Sequence, residues 1–543
     1  MPATEAIDVI KTFKDVITKM SVANSGSRVW WYTWLASRDR FNAALWRRLC
    51  VLQSLANSTK NQKIDDPVIS EYRSRTNNHA KRARFSNLLK WHFYKLFRFI
   101  KTSRRLAAEF VWFVRWRLAE KIPSQHIKAD VVVVTQLSAN SFPSGQFRDS
   151  YFGGLHSYLK NGGERVVICG IMQGSPSKVI SLRNKSEIKR VEAITSFGAF
   201  LKVSDFWFAL KETLFHDIKI IDFPLPLGGL INRFIADDII HAMPDIFHGL
   251  LIERAAWRML NHYSSARVIH IYENNPWEHA IDSQATQLSR KTIGFLHCAV
   301  LPSHLKNSIA EEEVGIRPAP DRIICTGTES RDIFLSLGAH DPDRVIAGCD
   351  LRVALPRHLR PRTRHQNRVR TALVILEGLP SMAGLLLFLD TASKEFSDIT
   401  FKVREHPTLP LKEISQKAGV SIGPPGALIK STEADLYASI EAADIVIYQS
   451  TTAAMTAVYL GVPSIKIDSD EGIEDDPLYK SSSLKWRAKN LSELRSAIKS
   501  ISDMDQASYI QRRDQARAYV ENYLAVPTDE NMSVFLQVNG NSR

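Results

Sequence analysis

The run from Ala129 to Leu137 (ADVVVVTQL) constrains this chain more than any other segment. Four valines and a threonine in succession leave no polar face, which suits a strand covered on both sides, as in a parallel sheet. A Ser/Asn/Pro/Gly loop at 138–146, a helical pattern at 148–160 and a second strand-like run from Arg165 to Gly170 complete a βαβ opening. The alternation continues through strand-like runs Asp217 to Phe223, Arg267 to Tyr272, Thr292 to Leu296 and Arg322 to Cys325, with helical patterns at 205–215 and 247–262. Residues 352–367 are polar, Arg/Pro-rich and aperiodic. Beyond them the pattern restarts, with strands expected at Ala372 to Leu376, Ile399 to Val403, Asp444 to Tyr448 and Ser464 to Ile467, and helices at 381–395, 433–442 and 453–460. At 543 residues the chain exceeds one hydrophobic core. The expectation is α/β: two parallel-sheet halves, 129–351 and 368–490, joined by a linker at 352–367, with a cleft between them. A helical segment, 1–128, precedes them and a helical tail, 491–543, follows.

Charge separates the first segment from the rest. Residues 1–128 hold 25 Lys+Arg and 9 Asp+Glu, whereas the whole chain holds 71 and 57. The net charge of +14 therefore resides in this segment and the two α/β halves are close to neutral, which argues against a nucleic-acid groove in the body. Seven of the eleven Trp also lie before residue 128. From 88 to 121, Trp91, Phe93, Phe97, Phe110, Trp112 and Trp116 interleave with Lys90, Lys95, Arg98, Lys101, Arg104, Arg105, Arg115 and Arg117 at helical spacing. Such a helix suits the anionic face of a membrane. The alternative is a helix packed on the body or on a protein partner, its cations reaching out to water.

The five cysteines are widely spaced with no CxxC pair, as expected of free thiols in a reducing, cytoplasmic compartment. Residues 1–20 carry alternating charges rather than the apolar core of a signal peptide, and no stretch approaches 18 uncharged apolar residues.

Chemistry concentrates at strand ends. Arg404-Glu405-His406-Pro407 follows one expected strand, and Gln449-Ser450-Thr451-Thr452 lies between another and the small-residue helix at 453–460. Hydroxyls and amides at a strand-to-helix turn, with a His from a neighbouring strand end, are the parts of a phosphate site. Either segment alone also reads as an N-cap or a turn. Glu377-Gly378 ends the first strand of this half, where Gly permits close backbone approach and Glu can reach a hydroxyl. In the first half, Glu273 and Glu278 flank Asn274-Asn275-Pro276-Trp277 after one strand, and His297 closes the next. A carboxylate or His is what an acceptor hydroxyl needs to lose its proton, although acidic residues here also cap helices and His297 also reads as a hydrogen-bonded structural residue. Phe147-Arg148-Asp149-Ser150 with Gly153-Gly154 offers a further loop. Walker A, GxSxG, HExxH, GxGxxG and zinc-type Cys/His spacings are absent, and no DxD pair stands at a strand end, so no metal and no resident cofactor are expected.

At His406-Pro407, Ser450-Thr451-Thr452 and Glu377-Gly378 the chain resembles GT-B glycosyltransferases, more narrowly bacterial surface-carbohydrate biosynthesis proteins and CMP-sugar-using Kdo- and sialyltransferases. The run Tyr272 to Glu278, Pro320-Asp321-Arg322-Ile323, Gly338 and Arg344-Val345 is similar to the later part of their N-terminal domains. The likeness spans roughly 129–525. It implies two Rossmann-like domains and transfer of a sugar from a nucleotide donor, CMP-linked Kdo or sialic acid, to a surface polysaccharide (capsule or lipopolysaccharide) or a lipid-linked glycan. Glu377, Gly378, Arg404, His406, Pro407, Ser450, Thr451 and Thr452 would hold the donor. Glu278 or Glu273 would be the base, with His297 behind them. An NDP-sugar donor, an epimerase of the same fold, and a non-catalytic scaffold of an assembly complex are the alternatives. The enzyme would sit on the inner face of the cytoplasmic membrane.

Overall fold

The structure is a computed structural model that describes residues 8–57, 81–120, 128–185, 193–223, 228–352, 355–356, 358–363, 365, 367–379, 381–406, 409–423, 428–468 and 474–536. Its first sheet contains β1 (Val131–Leu137), β2 (Val166–Met172), β3 (Ala193–Ser196), β4 (Arg267–Ile271), β5 (Thr292–Leu296), β6 (Arg322–Cys325) and β7 (Val345–Ala347), in the order β3-β2-β1-β4-β5-β6-β7. Every pairing is parallel. The valine run of β1 lies inside the sheet between β2 and β4, buried on both faces, because β-branched side chains fill the space between two helical layers. The second sheet contains β8 (Thr371–Ile375), β9 (Thr400–Arg404), β10 (Leu428–Lys430), β11 (Ile445–Tyr448), β12 (Ser464–Ile467) and β13 (Lys485–Ala488), in the order β10-β9-β8-β11-β12-β13, again all parallel. Each order steps outward from the first strand and then reverses to its other side, leaving a crevice at the strand ends. Two Rossmann-like units of GT-B layout face one another, as expected.

Several strands differ from the sequence reading, whereas the tail is helical as expected. Asp217 to Phe223 is not a strand. Asn24 donates to Lys219 O and accepts from Lys219 N, and Ser27 Oγ donates to Asp217, so the segment spends its polar groups on the N-terminal helix cap instead of a sheet. The strands β3, β7, β10 and β13, three or four residues each, stood outside the expected ones, because so short a run gives too little pattern to stand out. The tail forms two helices, Leu491–Ser502 and Gln506–Tyr523, and the second carries the chain back to the first unit. Ala525 N donates to Thr326 O, Asp350 N donates to Ala525 O, and Arg267 Nη2 donates to Phe535 O.

The N-terminal segment belongs to the core of the first unit. Phe13, Ile17, Met20, Trp30, Tyr32 and Leu49 are buried together with the long helix Gly228–His262. The aromatic helix Lys81–Ala119 divides its faces. Phe113 and Trp116 are fully buried, Trp116 Nε1 donates to Ser196 Oγ, and a Cβ on Gly198 would lie 2.5 Å from the Trp116 ring. Leu96, Phe97, Ile100, Val111 and Leu118 remain exposed. The alternative of a helix packed on the body thus describes its C-terminal portion. Side chains at 81–95 and 98–99, those of Trp91, Phe93 and Arg98 among them, lie outside the described ones, as does residue 121. Among the described residues no helix is long and apolar enough to cross a membrane.

Candidate active site

Strand ends of both sheets open onto one cleft of about 810 Å³. The second unit contributes Glu377 and Gly378 after β8, His406 after β9, and Gln449 to Thr452 after β11. The first unit contributes His297 and Cys298 after β5, with Arg148 and Arg352 beside them. Residues separated by more than 150 positions in sequence therefore meet at one site.

The hydroxyl turn precedes the helix Ala453–Tyr459, which begins at Thr452 without a side-chain cap bond from that residue. Thr451 Oγ1 lies 3.3 Å from Ala453 N and partly satisfies the first amide. With seven residues the helix has a short dipole, so the hydroxyls of Ser450, Thr451 and Thr452 and the ring of His406 are the main donors facing the cleft. Burial lowers the pKa of His406. Glu377 is the opposite case: burial pushes its carboxyl up to about 7, with Asp475 adding to the rise and a hydrogen bond with Ser450 and the charge of Arg40 opposing it. It carries a proton through part of the neutral range. Arg404 does not line the cleft; its Nη1 donates to Ser439 Oγ at 2.8 Å and ties β9 to the helix Leu436–Glu441. Pro407 lies outside the described residues.

On the facing wall, the two glutamates expected as base candidates part company. Glu278 is fully buried and absent from the cleft lining. Its carboxylate accepts from Glu273 N at 2.8 Å, Asn275 N at 3.1 Å and Asn275 Nδ2 at 2.8 Å, closing a capping box at the helix Pro276–Gln287. That is a structural duty; the sequence reading offered Glu278 or Glu273 alike as base, and neither carboxylate lines the cleft itself. Burial raises its pKa to about 8, partly opposed by His270.

Glu273 instead reaches the residues after β5. Cys298 Sγ donates to its Oε1 at 2.6 Å, His297 Nε2 stands 3.3 Å from the same oxygen, and Lys306 Nζ donates to Oε2 at 3.1 Å. Burial would raise its pKa, yet Lys306 and His297 hold it well below the usual carboxylate range. Burial lowers His297 to about 4, with Glu273 opposing and Arg352 and Lys306 reinforcing the fall, so the imidazole is neutral at pH 7. Burial drives the Cys298 thiol far up, and Glu273 adds to the rise. The Tyr151 ring meets His297 edge-on at 4.9 Å, while the Arg352 guanidinium lies 5.4 Å from the Tyr151 centroid. Ligand-type atoms of Glu273, His297 and Cys298 lie within 4.8 Å of one another. Lys306, and Arg352 at 3.7 Å from Cys298 Sγ, place two cations against that trio, which opposes a divalent ion there.

Several lining residues escaped the sequence reading: Arg40 and Phe41 from the N-terminal segment, His304, Arg352, Tyr437 and Asp475. None follows a strand directly, so no local signal marked them. The loop at 147–154 divides: Arg148 lines the cleft, whereas Asp149 accepts from Tyr151 N, Phe152 N and Thr135 Oγ1 and serves the turn.

No protein-family model and no curated protein matches the chain. Solved structures with a distant likeness include the UDP-GlcNAc 2-epimerase of Neisseria meningitidis bound to UDP-GlcNAc (12% identity, 74% of this chain and 97% of that one, TM-score 0.38). The glycosyltransferase SnogD of Streptomyces nogalater gives 14%, 74%, 98% and 0.39. Anabaena HepE in complex with UDP and glucose gives 10%, 73%, 96% and 0.38.

Proposed function

We propose that the protein is a GT-B glycosyltransferase that uses a nucleotide-activated sugar. The observation that carries this reading is the meeting of two complementary walls at one cleft: phosphate-type donors on the second unit and, on the first, His297 with Glu273 behind it. In the proposed reaction an acceptor hydroxyl attacks the anomeric carbon as the bond from that carbon to the nucleotide phosphate breaks. The hydroxyl proton passes to the His297 ring, and the Glu273 carboxylate, 3.3 Å from Nε2, stabilises the imidazolium. Ser450, Thr451, Thr452 and His406 hold the phosphate as it gains charge. Glu377, able to keep its proton near neutrality, donates a hydrogen bond to the same group. The scheme assigns no step to a metal or resident cofactor.

In its finer form the donor is CMP-linked Kdo or sialic acid, and the acceptor a surface polysaccharide or lipid-linked glycan at the inner face of the cytoplasmic membrane. Exposed Leu96, Phe97 and Ile100 among Lys and Arg residues support contact with an anionic bilayer.

Calorimetric titration with CMP, UDP and GDP, repeated on His406→Ala, tests the reading. CMP binding that the variant weakens supports it; UDP or GDP binding overturns the donor and keeps the class. A folded protein that binds none of them is a scaffold. Product analysis with the nucleotide sugar that binds separates transfer from epimerisation.

A further inference from the structure

A smaller chamber of about 230 Å³ adjoins the cleft, behind Glu273 and Cys298. Arg40, Phe41, Cys298, Ser303 and His304 line both spaces, so the chamber and the cleft share these side chains as a common wall. Its outer wall is the turn Arg38 to Phe41, supplied by the N-terminal segment, and its inner wall is Ser303 to Asn307.

The turn is held firmly. Arg38 adopts a left-handed backbone (φ 53°), costly for a long side chain, and its buried guanidinium is anchored by the equally buried Glu313. Asn274 Nδ2 donates to Lys306 O at 2.7 Å and lies 3.4 Å from Ser37 O, joining the two walls behind Glu273. Such a pocket is built rather than incidental.

Its lining also specifies a ligand class. Charges cancel: Arg38 faces Glu313, Lys306 faces Glu273, and Asp39 accompanies Arg40. Burial keeps His304 neutral, with a pKa of about 4. Four buried polar atoms of its lining residues, Ser303 Oγ, Asn307 Oδ1 and Arg38 Nε and Nη1, have no hydrogen-bond partner among the described residues, and the charge of Arg38 is already met by Glu313. An unsatisfied buried hydroxyl or amide oxygen costs about 1–3 kcal/mol until something pairs with it. Phe41, 61% exposed, presents an aromatic surface at the mouth. The volume corresponds to about seven or eight waters at ~30 Å³ each.

We propose that this chamber binds an uncharged polyhydroxylated ring, the terminal sugar unit of the acceptor, with Ser303 and Asn307 pairing its hydroxyls and Phe41 covering its apolar C–H face. The role as acceptor site rests on the transferase reading. The pocket itself does not.

Saturation-transfer NMR with neutral methyl glycosides, methyl glucuronide and a sugar phosphate tests the proposal on the full chain, with Phe41→Ala, Ser303→Ala and a nucleotide titration alongside. Expected are saturable binding of at least one neutral glycoside and a loss of about tenfold in its affinity in each variant. Thermal melts establish that both variants fold. Neutral glycosides that fail to bind, that yield to the charged ones, or that bind both variants like wild type overturn the proposal. Nucleotide binding without glycoside binding defeats the chamber alone. Glycoside binding without nucleotide binding defeats the transferase reading and keeps the chamber as a sugar site.

Discussion

Replacing Glu377 by Gln removes the one cleft carboxyl that the structure sets close to neutrality. Burial, reinforced by Asp475, raises it from 4.5 to about 7 against the pull of Ser450 and Arg40. At 1.36 kcal/mol per pKa unit, the cleft disfavours its ionised form by about 3 kcal/mol. The folded chain therefore holds this proton to higher pH than the unfolded chain. Its contribution is most favourable below about 4.5 and is lost as pH rises towards 7. A donor phosphodiester placed beside this group favours the protonated form further. Donor affinity should consequently fall by about tenfold per pH unit once Glu377 ionises in the free protein. A nucleotide sugar is the right probe, because a free nucleotide monoester titrates near pH 6 by itself. Calorimetry at about pH 6, 7 and 8 should show this decline in the wild type and a flat profile in Glu377→Gln. Asp475→Asn should move the decline to lower pH. A flat wild-type profile, or a variant that keeps the wild-type slope, refutes the assignment.

His406→Ala should cost about 1.5–3 kcal/mol of nucleotide affinity, the worth of one hydrogen bond to a charged group, with an unchanged melting temperature, as calorimetry and a thermal scan would show. Glu273→Gln should lower turnover by at least about a hundredfold, because the imidazolium loses its counter-charge, while nucleotide affinity measured by titration stays within about twofold. Arg38→Met should destabilise the first unit by about 3–5 kcal/mol in urea denaturation, since it leaves Glu313 buried and unpaired; adding Glu313→Leu should recover much of that loss. Gly198→Ala should also destabilise, because its new methyl would overlap the Trp116 ring, and pairing it with Trp116→Phe should relieve part of the cost.

The architecture was largely legible in the sequence. Thr292–Leu296, Arg322–Cys325 and Ser464–Ile467 stand where the apolar runs placed them, because a fully covered strand needs a continuous apolar stretch and little else does over so short a span. His297, Glu377, His406 and Ser450 to Thr452 share a cleft because strand ends in a parallel sheet all point to one edge. Glu273 and Glu278 could not be told apart in the same way. Both are acidic residues beside a strand-to-helix turn, and only the Asn275 cap shows which one the helix takes.

The N-terminal segment marks the boundary most sharply. Its charge and tryptophans read as an attached arm, yet Trp30, Phe113 and Trp116 belong to the core and Arg40 and Phe41 to the cleft. Periodicity and turn chemistry act between residues a few positions apart, so the sequence by itself determined the longer strands, their parallel arrangement and the motifs at their ends. The chamber depends on Arg38 meeting Glu313 and on Asn274 holding Lys306 near Ser37. Such contacts join residues up to 275 positions apart and exist only once the core has closed, so tertiary structure alone decided which side chains face a ligand.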